Sequence, residues 1–361
     1  MKEELLKMGF NQSRADPCLF VHVEREIRLL VYVDDLAAAA PDATQLDWFY
    51  DKLSTRFKTK NLGEISKILG VRVTRDRIKR TVELDQEQYL DKTLTKFGFP
   101  KAVSREVNIP MAGYDNLRPA ATNDKRIDAT WYRERIGSLM YAMVYTRPDI
   151  AFALGRLSQF MQDPAEHHAQ ALKHLMRYLR STISLRISFG PSGKLVVYSD
   201  ADWASDKTDR KSITASVGMV GGGPVFWGSK KQTAVATATT EAEYVAMSYT
   251  AKQGQWVAQI LRDLGFGGYV AKNHQTVDTR GDNQGAIALA KNPHLTERSK
   301  HIDISYHYVR DLQEKNRVDL KYVPTNEIVA DGLSKPLPTT LFNSFMKQIG
   351  MVLGGSSTKE S

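Results

Sequence analysis

The break at Gly190–Pro191–Ser192–Gly193 constrains the fold of this chain more than any other feature, because the residue pattern differs on its two sides. Four consecutive turn-favouring residues end whatever element precedes them. Beyond the break, Leu195–Ser199 is a short apolar strand. Ile213–Val220 alternates and runs into three glycines, and Val225–Trp227 returns as its hairpin partner. A long helix is expected over Thr239–Leu264, with Tyr244, Met247, Ala251, Val257, Ile260 and Leu261 on its buried face. A strand (Thr276–Arg280), two helices (Asn283–Ala290 and Ile302–Glu314), a last strand (Asp319–Val323) and a short helix around Asp331 follow. The order β, β, β, α, β, α with a mixed end predicts an α/β unit, a mixed sheet with flanking helices.

Before the break the pattern is of α+β type. Leu19–Val23 and Ile27–Val33 read as a hairpin around Glu24–Arg25–Glu26. Leu46, Phe49, Tyr50, Leu53 and Phe57 recur at helical spacing over Thr44–Phe57. A second strand pair (Ile68–Thr74 and Arg80–Leu84) leads into a helix over Gln86–Phe97. Pro100–Thr130 lacks periodicity and is the expected linker, followed by helices over Trp131–Tyr145, Asp149–Gln162 and Ala165–Ser181. The expected units are 1–99, 100–190, 191–340 and a tail from 341 to 361, with Gly354–Ser361 disordered.

Composition narrows the class. With 42% hydrophobic and 25% charged residues over 361 positions, the chain has enough apolar content for two or three cores. No apolar run is long enough to cross a bilayer, so no membrane partner is expected. The single cysteine, Cys18, excludes an internal disulfide and a cysteine-built zinc site, and argues for a reducing, intracellular setting. Fifty basic against 41 acidic residues fits a polyanionic partner but also suits many ordinary proteins.

Four acids fall at equivalent places beyond the break. Asp200 ends the first strand, Glu243 lies in the first turns of the long helix, Asp282 follows the later strand, and Asp331 lies in the final helix. Brought together, such carboxylates repel one another unless cations neutralise them, which makes a natural Mg²⁺ site. The plainer reading is capping, since Asp and Glu are common at strand ends and in first helical turns. Spacing alone does not decide between the two, and Asp202 and Glu241 compete for the first two places.

The blocks YSDADWASDKTDRKS (198–212), FWGSKKQ (226–232), TTEAEYVA (239–246), DNQGAIALAKNP (282–293), SKHIDISYHYVR (299–310) and YVPTNEIVADGLSKPL (322–337) resemble the ribonuclease H domain of Copia-type LTR retrotransposons. That resemblance implies a ribonuclease H-like sheet and catalytic, metal-holding roles for Asp200, Glu243, Asp282 and Asp331. It implies two Mg²⁺ ions, with Mn²⁺ as the alternative, and hydrolysis of the RNA strand in an RNA–DNA hybrid to 5′-phosphate and 3′-hydroxyl ends. Lys207, Arg210, Lys211, Lys230 and Lys231 are candidate phosphate contacts. Trp203 and Trp227 are candidates for packing on nucleic acid or for the core. Asn326 stands near the place where many ribonucleases H carry a mobile histidine.

In the front half, Tyr32–Val33–Asp34–Asp35 is similar to the active-site hairpin of reverse transcriptases. RADPCLF (14–20), NLGEISKILGVRV (61–73) and RIGSLMYAMVYTRPDIAFALGRLSQFM (135–161) extend the likeness from late palm through thumb and connection. Polymerase chemistry needs a third carboxylate from an upstream strand, and Asp16 sits instead in a turn-like segment. The polymerase is therefore expected to be incomplete, with the missing part of the reverse transcriptase as a partner. The alternative to an active nuclease is a decayed, nucleic-acid-binding remnant. His167, His168 and His174 share one helix, and His301 and His307 another. All five are expected to be solvated or core-packed.

Overall fold

The structure is a computed structural model and describes residues 1–101, 106–112, 117–291 and 303–354, apart from the side chains of 272 and 303–307. The chain begins as a small unit with its own core. Helix α1 (Lys2–Lys7) precedes strands β1 (Asn11–Gln12), β2 (Leu19–His22), β3 (Ile27–Tyr32) and β4 (Asp35–Ala39), an antiparallel sheet in chain order. Helix α2 (Ala43–Ser54) starts under Asp42, whose side chain accepts the Gln45 N–H at 3.1 Å. Leu5, Phe10, Phe20, Ile27, Leu29, Phe49 and Leu53 fill the space between. The alanine run is the body of β4.

A second antiparallel sheet is assembled from distant segments. Strands β5 (Lys67–Ile68), β6 (Val71–Asp76) and β7 (Thr81–Asp85) are followed by helices α3 (Glu87–Lys96), α4 (Ala129–Tyr145), α5 (Ala151–Ser158) and α6 (Glu166–Ser181), and only then by β8 (Leu185–Phe189), which pairs with β7. The segment between α3 and α4 carries no helix or strand among its described residues. Side-chain bonds nonetheless hold it: His174 Nε2 meets the Ile109 carbonyl at 3.0 Å, and Ser181 Oγ accepts the Val107 N–H at 3.0 Å.

The third sheet matches the pattern read beyond the break. Its strands are β9 (Val196–Asp202), β10 (Ile213–Val220), β11 (Gly223–Lys231), β12 (Val277–Gly281) and β13 (Val318–Tyr322), in the order β11-β10-β9-β12-β13. The first three are antiparallel, and β12 and β13 run parallel to β9. Helices α7 (Thr239–Asp263), α9 (Gln284–Lys291) and α10 (Asp303–Glu314) pack a core of Tyr244, Met247, Ala251, Ile287, Val309 and Leu320, with α8 (Ala271–Gln275) as a short connector.

Two expectations change. First, the break at 190–193 is a real turn, packed so closely on the triple glycine that a Cβ on Gly221 would lie 2.8 Å from the Gly190 carbonyl oxygen. Yet the core runs across it. Ile213, Ala215 and Val217 of β10 share one cluster with Ile136, Leu139, Leu154, Leu157 and Leu172 of the front-half helices. A mixed sheet has two apolar faces, and α4 to α6 supply the second cover. Trp227 seals it by donating its indole N–H to the Met143 carbonyl at 2.9 Å.

Second, residues from 341 onward are not a free tail. After α11 (Asp331–Ser334) comes α12 (Thr339–Gln348), which buries Phe342 and Phe345, and β14 (Met351–Leu353), which pairs with β8 and completes the second sheet. Their apolar residues have a core to enter that is invisible in the local pattern. Residues 355–361 lie outside the described residues.

Candidate active site

Three of the four acids converge. Ligand oxygens of Asp200, Glu243 and Asp282 all lie within 4.8 Å of one another. The sheet explains two of them: Arg280 pairs with Tyr198 across the parallel β9–β12 ladder, so continuing that register sets Asp282 opposite Asp200. Asn283 then caps α9 by accepting the Ala286 N–H at 2.9 Å, turning the chain directly after Asp282. Glu243 is delivered by the first turns of α7. Strand β9 runs through Asp202, three residues beyond its expected end, so Asp200 lies inside a strand.

Asp331 behaves differently. It stands in the short helix α11, stays outside the three-acid group, and pairs with Lys335 at 2.5 Å. The same helix sends Ser334 Oγ to donate to Asp200 Oδ2, while Thr325 Oγ1 donates to Asp282 Oδ2 at 2.7 Å. Ser334, Thr325 and Lys335 went unread in the sequence. The i,i+4 spacing of Asp331 and Lys335 was the one available signal. Of the rivals, Asp202 remains half-buried beside the group, and Glu241 accepts hydrogen bonds from the Thr237 N–H and hydroxyl, both at 2.7 Å, as a local cap. Asn326 is exposed and offers its carbonyl to Gln348.

Electrostatics follow from burial. Burial foremost, with Asp331 and Asp282 adding, pushes the Asp200 carboxyl up to about 6, against the Ser334 hydrogen bond. Burial, then Asp200 and Asp282, pushes Glu243 up to about 9. Asp200 and Glu243, buried this closely beside a third carboxylate, hold protons until a cation replaces them. An all-oxygen donor set of this kind fits a hard divalent ion.

The sign for stability is fixed by these shifts. The folded state binds more protons than the unfolded one above the ordinary carboxylate range, so stability falls as pH rises through about 6 and on toward 9. With chelator present, melting is expected to be lower at pH 8 than at pH 5. Millimolar Mg²⁺ should restore it at pH 8 and change little at pH 5. Glu243→Gln should flatten the chelator profile, and an unchanged profile in that variant would refute the account.

The candidate phosphate contacts divide. Lys207 and Arg210 are exposed, and Lys230 lies 6.0 Å over the Tyr249 ring. Lys231 is engaged internally by Asp206 at 2.6 Å and Asp209 at 2.9 Å, and Lys211 sits 3.8 Å from Asp209. Asp206 also takes Arg156 of α5 at 2.6 Å, tying the loop after β9 to the front-half helices. Trp203 donates to the Ala236 carbonyl at 3.0 Å with its ring partly exposed. His168 is stacked on Phe160 at 3.9 Å and buried, as expected of a packing residue. His301 and the His307 side chain lie outside the described residues.

At the front, Tyr32 pairs with Asp35 across the β3–β4 turn, with Val33 at φ 52° and strongly exposed. A β-branched residue in the left-handed region is strained, a state usually kept where the turn itself has a use. Among the described residues no third acid joins Asp34 and Asp35.

Residues 1–112 match the family described as reverse transcriptase (RNA-dependent DNA polymerase). The chain is 36% identical over 349 residues to the retrovirus-related Pol polyprotein from transposon TNT 1-94 of Nicotiana tabacum, covering 94% of this chain and 26% of that protein. It is 37% identical over 355 residues to the corresponding polyprotein from transposon RE1 of Arabidopsis thaliana, covering 97% of this chain and 24% of that one. The chain belongs to the Copia-type retrotransposon Pol family. It spans about a quarter of the length of these relatives. A ribonuclease H1 structure from Halobacterium salinarum is similar at a TM-score of 0.28 and 22% identity, over 39% of this chain and 95% of that one. The third sheet of this Copia-type chain keeps the strand order β11-β10-β9-β12-β13, with α7, α9 and α10 packed on it. No helix among the described residues is long and apolar enough to cross a membrane.

Proposed function

We propose that this chain hydrolyses the RNA strand of RNA–DNA hybrids with divalent metal, as the ribonuclease H part of a retrotransposon polyprotein. The observation that carries this reading is the convergence of Asp200, Glu243 and Asp282 from three elements far apart in sequence. A bound divalent ion, Mg²⁺ or Mn²⁺, supplies water activation and charge stabilisation at the departing 3′ oxygen.

The chain's own residues set the stage for that chemistry. Asp200 and Glu243, both nearly buried, offer acceptors in a poorly hydrated place, where a cation is held more tightly than at an exposed site. Ser334 and Thr325 orient the Asp200 and Asp282 carboxylates. Asp331 would supply a fourth ligand, with Lys335 balancing its charge until then. Lys207, Arg210 and Lys230 contact the phosphate backbone, with recognition by hybrid shape and 2′-hydroxyls.

The test is a labelled RNA–DNA hybrid incubated with the chain and Mg²⁺. RNA fragments with 5′-phosphate ends, and none from single-stranded RNA, are expected. A folded chain that binds the hybrid and cuts nothing would favour the decayed remnant instead. Asp34 and Asp35 have no third carboxylate beside them among the described residues. No extension of a primer on an RNA template is therefore expected from this chain, and measurable extension would refute that.

A further inference from the structure

Asp263 is the last residue of α7, where the helix dipole disfavours a carboxylate. Its Oδ2 nevertheless accepts three hydrogen bonds from one distant turn: Ser13 Oγ at 2.7 Å, Arg14 N at 2.9 Å and Ala15 N at 3.2 Å. Its Oδ1 is held by Gln259 Nε2 at 2.6 Å. Burial pushes this carboxyl up, but the bonds from Ser13, Gln259, Arg14 and Ala15 outweigh it and leave it below its ordinary value.

The turn is shaped for the purpose without help from α7. Ser13 Oγ accepts the Ala15 and Asp16 N–H groups at 3.0 and 3.3 Å, and Asp16 Oδ1 accepts that of Cys18 at 2.8 Å. Successive backbone N–H groups then point at one anion, a small nest. Opposite polarity is read as well. Trp256 Nε1 donates to the Ala15 carbonyl at 3.1 Å. Arg28 Nε donates to the Leu264 carbonyl at 3.1 Å, an acceptor that the helix itself leaves open, and its guanidinium lies 4.7 Å over the Phe266 ring.

We propose that the C-terminal corner of α7 is a docking surface for the chain's own hairpin-bearing unit, residues 1–57, and that Asp263 is the residue that recognises its Ser13–Asp16 turn. The same helix carries Glu243 near its start, about 30 Å from Asp263 at 1.5 Å per residue. Helix α7 thus acts as a spacer of fixed length between the polymerase-type hairpin and the three-acid site. This assignment stands on the contacts alone and does not depend on the acids turning over.

Hydrogen exchange of the amides over residues 10–22, and trypsin cleavage after Arg14, Arg25 and Arg28, are to be followed in the full chain. Asp263→Ala should speed both about tenfold, with Asp263→Asn intermediate and exchange in β9 and β12 unchanged. Ser13→Ala, which leaves α7 intact, should give part of the same effect and add little on top of Asp263→Ala. Parent-like protection in both single variants would overturn the assignment. So would protection in the parent that fades on dilution, because the occupant would then be a second copy.

Discussion

Asp282→Asn is expected to remove hybrid cleavage by about three orders of magnitude while leaving the fold unchanged. The substitution keeps size and shape, and the new amide oxygen can still accept from Thr325 Oγ1, now at 2.7 Å from Asp282. What disappears is one of three carboxylate ligands whose oxygens lie within 4.8 Å of one another. Divalent-ion affinity should fall with it, measurable by titration calorimetry independently of turnover. Circular dichroism and melting without metal should match or exceed the parent, because repulsion on Asp200 and Glu243 is relieved. Cleavage within tenfold of the parent would remove Asp282 from the catalytic set.

The second large effect concerns stability. Arg147 and Asp149 form a bidentate pair at 2.9 and 2.7 Å with both side chains essentially fully buried. Arg147 also donates to the Thr182 carbonyl at 3.1 Å and hydroxyl at 2.7 Å, and the Tyr178 hydroxyl donates to Asp149 at 2.6 Å. These bonds lock α4, α5 and α6 together at the point where β8 begins. Arg147→Met should cost about 3–5 kcal/mol, because it strands a buried carboxylate rather than because the pair itself is strong. Replacing Asp149 by Leu in the same chain should recover much of that loss. Urea unfolding followed by tryptophan fluorescence reads both, and a loss under about 1 kcal/mol in Arg147→Met would contradict the argument.

Local pattern carried most of the unit built on the third sheet. Thr239–Asp263 is one long amphipathic helix, and glycines bound strands beside it, so periodicity and breakers agree there. What stayed illegible depends on partners far along the chain. Strand β8 pairs Ile187 with Leu84 on one side and Met351 on the other, and no window of sequence contains all three. The break at 190 misled for a related reason: it ends a strand, but the covering of β10 by Ile136 and Leu157 is a tertiary fact. In the site, the motif blocks pointed to four acids. The separation of Asp331 from the other three rests on the Lys335 pair. Glu241 and Glu243 could be told apart by spacing only as far as a family pattern allowed. The hydrogen bonds from Thr237 explain physically why Glu241 is spoken for.

The pairing of Met351–Leu353 with β8 has a consequence for biogenesis. A sheet whose first strands are made at residues 67–85 stays open at β8 until a segment synthesised long afterwards arrives. Its contacts are of high sequence separation, so closure is slow and the waiting edge is free to pair wrongly. A ribosome that stalled or stopped between α11 and β14 would release a chain with all four acids in place and that edge still uncovered.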